Sequence, residues 1–104
     1  MSDQINPIVN PWHPMSNPVD VKHLGKLLEE LGELTAAVSR CLIQGIDESE
    51  PITGKSNRVW LEEEIADVEA CIDLVMERFN LNYRDILNRT MKKRDRLKSW
   101  HSMA

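Results

Sequence analysis

Three helix-start signals, with no strand pattern to compete, constrain this chain more than anything else in it. Asn17-Pro18-Val19-Asp20 puts Asn at an N-cap, Pro at the first helical position and an acid at the third. No proline interrupts the run that follows until Gly45, a natural C-terminal stop, so the first helix is expected over about Pro18 to Gln44. Leu24, Leu27, Leu28, Leu31, Leu34, Val38 and Leu42 form its apolar stripe. Gly25, Gly32 and Ala36 add a strip of small residues where another backbone could close in. Residues 45–56 read as a loop with room for a short helical turn. Ser56 or Asn57 can cap a second helix of about Arg58 to Phe79, with the stripe Leu61, Ile65, Val68, Ile72, Val75, Met76 and Phe79. Asn82 with Asp85 caps a third helix running to about Trp100, which carries Tyr83, Ile86, Leu87, Met91 and Leu97. The class is therefore all-α.

A chain of 104 residues is expected to form one domain with a modest core, a shortage that oligomerisation commonly relieves. Residues 1–17 read as an extended arm, broken by Pro7, Pro11 and Pro14 but carrying Ile5, Ile8, Val9 and Trp12. Residues 18–104 form the helical domain. The net charge of −4 speaks against a general nucleic-acid binder. No apolar stretch reaches the ~20 residues of a membrane span, and no signal-peptide pattern opens the chain. Cys41 and Cys71 sit in apolar helical surroundings and read as reduced thiols of a cytoplasmic protein.

Two carboxylate pairs stand out: Glu30-Leu-Gly-Glu33 and Glu64-Ile-Ala-Asp67. A spacing of three puts both acids of a pair on one side of a helix. Turning about 100° per residue from Leu61, Glu64 and Asp67 fall in the flank shared with Trp60, Cys71 and Leu74. Glu62, Glu63, Glu69 and Asp73 fall on the opposite side. An acid in an apolar arc must be paired, metal-bound or protonated. Glu30 lies at the edge of the first helix's arc, Glu33 one step further round near Lys26, and Glu29 towards solvent. Oxygen-only ligands suit Mg²⁺ or Mn²⁺. A di-iron bundle would need Glu-x-x-His, and none of His13, His23 or His101 completes one. The competing reading is a non-catalytic helical interaction module whose acids are solvated charges.

Glu29-Glu30-Leu-Gly-Glu33 followed by Glu64-Ile-Ala-Asp67 resembles the EExxE…ExxD signature of the MazG-like all-α NTP pyrophosphohydrolases, and the lead-in Lys26-Leu-Leu-Glu-Glu-Leu-Gly-Glu-Leu is similar to that family as well. The resemblance covers roughly residues 18–100. The stretch from His13 to Leu27 and the ending Lys98-Ser-Trp-His101 are similar to a phage-type branch, the dATP/dGTP diphosphohydrolases that include MazZ. This resemblance implies a helical bundle completed by oligomerisation as a homodimer or homotetramer. It also implies a Mg²⁺-dependent reaction in which a (d)NTP gives (d)NMP and pyrophosphate, with dGTP or GTP as the expected substrate and dCTP, dUTP or dATP as alternatives. Carried over residue by residue, Glu30, Glu33, Glu64 and Asp67 would hold two or three Mg²⁺. The ions would bind the triphosphate and acidify a water that attacks the α-phosphorus, and Glu33 is one carboxylate that could take its proton.

The triphosphate needs cations. Lys93 and Arg96 share a side of the third helix, and Lys55 lies in the loop; solvated charges near a helix C-terminus explain the other basic residues of that helix. Trp12 in the arm offers a stacking surface for a base, with Asn17 or backbone groups to read its edge. The plainer reading of Trp12 is packing of the arm onto a helix. No Gly-rich phosphate loop is present.

Overall fold

The computed structural model of the chain describes residues 11–103. It contains α1 (Pro18–Gln44), α2 (Asn57–Arg78) and α3 (Tyr83–Trp100). Residues 11–17 are non-helical, while Ile5, Pro7, Ile8 and Val9 of the expected arm lie outside the described residues. No strand forms among the described residues, and the loop between α1 and α2 holds one isolated antiparallel bridge, Ser49 to Ser56, in place of a helical turn.

Each helix begins where side-chain chemistry satisfies its free N–H groups. The Asn17 side chain accepts from the N–H of Val19 and Asp20, Ser56 from Val59, and Asn82 from Asp85. Gly45 closes α1 at φ 105°, a conformation that side chains rarely adopt. Asn80 substitutes for glycine after α2: at φ 48° it lets the Leu81 N–H reach back to the Met76 carbonyl.

α1 and α2 form an antiparallel hairpin. At its open end Arg78 Nε donates to Asp20 at 2.7 Å. At its closed end Asn57, 1% exposed, donates from Nδ2 to Gln44 Oε1 and the Gly45 carbonyl. The Cys41 thiol donates to the Asn57 carbonyl at 3.8 Å, and both cysteines are free. Most of the buried and half-buried positions alternate in steps of four and three: His23, Leu27, Glu30, Leu34, Ala37 and Cys41 on α1, and Asn57, Leu61, Glu64, Val68, Cys71 and Val75 on α2, with Arg40, Trp60 and Met76 half-buried beside them. That is the spacing of a coiled-coil seam. Small Ala37 lets the helices approach, and an acid from each helix occupies the seam's middle.

The seam departs from the leucine stripe expected on α1. Leu28 and Leu42 are 72% and 82% exposed, and Leu24, Leu31 and Val38 are also open. The reason is geometric. One partner helix covers a narrow strip, and α1 carries a wider apolar arc than α2 can hide. On α2, Ile65 and Ile72 are similarly left outside the seam. Gly25 and Gly32 face open space, with nothing within 4 Å of where a Cβ would stand.

α3 does not pack along either helix of the hairpin in the way those two pack on each other. The radius of gyration is accordingly 19.4 Å, where a compact chain of this length has about 13 Å.

Candidate metal-binding seam

The four-and-three spacing carries Glu30 to the centre of the α1–α2 contact, not to its edge as the helical wheel suggested. It is 7% exposed, the most buried acid of the described chain. Opposite it, α2 brings Glu64 and, one turn on, Asp67. One carboxylate oxygen from each of Glu30, Glu64 and Asp67 lies within 4.8 Å of the other two. Glu33 does not enter this trio; it forms a second cluster with Glu29 and Glu30 on α1 and is exposed. Glu29 thus stands closer to the acids than a purely solvent-facing residue would, and it pairs with Lys26 at 3.2 Å.

Electrostatics marks Glu64 out. Burial, then the charges of Glu33, Asp67, Glu30 and Glu63, push its carboxyl above the usual carboxylate range. Its Oε2 is shielded from solvent and has no hydrogen-bond partner among the described residues. Lys26, 3.5 Å from Glu30, is the cation that the chain itself supplies, and Glu29 and Glu30 raise its pKa. One exposed lysine does not balance three converging acids. An orphaned carboxylate oxygen, hard oxygen donors from two helices and a surplus of negative charge fit a small divalent cation.

Beside the trio a groove of about 210 Å³ opens, lined by Glu33, Ala36, Ala37, Trp60 and Glu64. Trp60 carries two cations over its ring: the Arg40 guanidinium at 4.2 Å from the centroid and the Lys55 ammonium at 4.9 Å. Lys55 also pairs with Glu63. Of the expected phosphate contacts, only Lys55 lies near the carboxylates through this chain's own packing. Lys93 lines a separate groove on α3 with Arg89, Arg94 and Lys98; Arg96 is on the same helix, exposed. Trp12 is 77% exposed in the segment before α1. Asn17, proposed to read a base edge, already spends its Oδ1 on the α1 cap and on Arg78 Nη2 at 3.4 Å.

Sequence reasoning passed over two residues. Asn57, weighed only as a cap, locks the hairpin; no local signal distinguishes a fully buried Asn at a helix start from an exposed one. Arg40, one of three Lys and Arg residues on α1, becomes noticeable only once Trp60 is seen beneath it. No protein-family profile, curated protein or solved structure matches this chain.

Proposed function

We propose that the chain is a Mg²⁺-dependent nucleoside triphosphate pyrophosphohydrolase of the MazG-like kind, acting on dGTP or GTP in the cytoplasm. The observation that carries this reading is the convergence of Glu30, Glu64 and Asp67 from two helices, with the buried Glu64 Oε2 left without a partner. Three acids held together, two in the helix seam and Asp67 at its exposed flank, are unfavourable unless a cation joins them. Glu30, Glu64 and Asp67 would hold the ion, and an ion held there supplies charge for phosphate oxygens and acidifies a water. Glu33, at the groove's mouth and free of the trio, is the acid placed to take that water's proton. Mn²⁺ would satisfy the same donors.

The active form is proposed to be a homodimer or homotetramer. Exposed leucines on α1 and an α3 that packs closely on no helix among the described residues support this. Charge supports it too: α2 has seven acidic and two basic residues, α3 seven basic and two acidic. The α3 of one copy is thus a complement for the α2 of another, which would carry Lys93 and Arg96 towards the acids.

A panel of nucleoside triphosphates assayed for monophosphate and pyrophosphate tests the proposal, with Glu64→Gln as control. Pyrophosphate release that needs Mg²⁺ and is lost in Glu64→Gln supports it. Cleavage of dCTP, dUTP or dATP alone would keep the chemistry and change the substrate. No release from any nucleotide, with no thermal stabilisation by Mg²⁺, would leave the helical interaction module.

A further inference from the structure

Trp60, which lines the groove next to the carboxylates, bears a feature the metal reading does not use. Arg40 lies seven residues beyond Glu33 on α1, and Trp60 four residues before Glu64 on α2, about 6 Å of helix rise away. Arg40 is half-buried, its Cζ 4.2 Å from the centroid of the Trp60 ring, and makes no ion pair with any described acid in a chain that has 17 of them. Glu50 feels its charge, but the Glu50 oxygens are taken up by the N–H groups of Ile52 and Thr53 and by the Thr53 hydroxyl. Arg40 Nη1 and Trp60 Nε1 are both shielded and without hydrogen-bond partners among the described residues. An arginine packed on an aromatic ring has lost much of its side-chain freedom before any ligand arrives, so less entropy opposes the next contact. Lys55, over the same ring and paired with Glu63, adds a second cationic group.

We propose that Arg40, positioned by Trp60 and backed by Lys55, is the phosphate-binding element of the groove. It receives the terminal phosphates of a polyphosphate whose other end meets the ion held by Glu30, Glu64 and Asp67. The inference rests on the proposed metal site and adds the residues that recognise the anion. The ligand class follows from the groove and the cation stacked on its wall. The groove offers acids that bind only through a cation, and Arg40, on the Trp60 ring, offers a planar guanidinium suited to phosphate oxygens. Trp60, with cations over its ring, is their platform and not a surface for a nucleobase.

Inorganic tripolyphosphate with saturating Mg²⁺ is the probe, followed by calorimetry on the full chain. Arg40→Gln is expected to weaken it at least tenfold. Arg40→Lys, which keeps charge but loses the fork, should fall between Arg40→Gln and the natural chain, and Trp60→Leu should weaken binding by loosening Arg40. Lys22→Gln, at an exposed lysine early in α1, should stay within twofold, as should Mg²⁺ binding alone in all the Arg40 variants. Three results would overturn the proposal: tripolyphosphate affinity within twofold in both Arg40 variants, an equal loss of Mg²⁺ affinity that would mark collapse of the seam, or citrate binding as tightly as tripolyphosphate. The two readings separate cleanly. Arg40-dependent tripolyphosphate binding without nucleotide cleavage removes the hydrolase and keeps this site. Cleavage with an unchanged KM in Arg40→Gln removes this site and keeps the hydrolase.

Discussion

Lys26 Nζ stands 3.5 Å from Glu30 Oε2 and so neutralises, within one helix, the acid that lies deepest between α1 and α2. The lysine occupies charge space that a divalent ion would otherwise fill. Lys26→Met should therefore lower the metal-free melting temperature, because the exposed Lys26 is the partner of a buried acid that the change leaves unpaired. It should also enlarge the rise in melting temperature on adding Mg²⁺. Differential scanning fluorimetry across a Mg²⁺ series measures both, and an unchanged Mg²⁺ response would separate Lys26 from the site.

Glu64 predicts a pH dependence with a definite sign. Its folded carboxyl holds its proton more tightly than the ordinary value of 4.5. The folded state is thus favoured by this group at low pH, and that advantage is lost as pH rises from about 4.5 through the raised folded value. Glu64→Gln should consequently melt higher than the natural chain at neutral pH without metal, with the gap closing towards pH 4. Addition of Mg²⁺ should reverse the order at neutral pH. If the chain is the proposed hydrolase, the same variant loses about 100-fold or more in kcat/KM, the upper range for disturbed metal sites.

Asn57→Ala should open the closed end of the hairpin. Two hydrogen bonds of a fully buried amide disappear: the Gln44 side chain loses its donor, and the Gly45 carbonyl is left with only the longer bond from the Glu48 N–H. The loss is about 1–3 kcal/mol, which for a domain of this size is a fall of several degrees in melting temperature. Asn57→Asp should be worse, since it buries a charge with no cation beside it. Thermal melts of the two variants at neutral pH check the ranking.

The exposed leucines predict association. Leu28→Glu combined with Leu42→Glu should shift the chain to a monomer in analytical ultracentrifugation, with far-UV helicity of the hairpin retained. Charge complementarity between α2 and α3 adds that association weakens as NaCl rises from about 0.1 M to 1 M, where the screening length falls from about 10 Å to 3 Å. A salt-independent monomer in the unaltered chain would contradict both.

Helix boundaries were legible in the sequence because capping is local chemistry. Asn17, Ser56, Asn82 and Gly45 do their work within four residues, so neighbours in sequence suffice to find them. The seam was less legible for a physical reason. Leucines on α1 report that a face is to be covered, but not whether α2 or another chain covers it. The centre of a helical wheel drawn on Leu24, Leu28 and Leu31 therefore misses the true contact through Glu30 and Ala37. Glu64 was legible because it interrupts an apolar arc. Arg40 was not, since its role depends on a ring supplied by a helix about twenty residues away.

The separation of α3 from the hairpin has a consequence in time. Contacts between α1 and α2 join consecutive helices, and such local topologies form in microseconds to milliseconds. α3 finds no comparable surface on its own chain, so any final docking is a second-order event whose rate scales with protein concentration. Refolding from denaturant should then show a fast phase indifferent to concentration and a later one that quickens as concentration rises. If copies associate as proposed, each newly made chain is between the two phases a finished hairpin with an unclaimed basic helix, and the amount of the protein, not its sequence, sets how long it waits.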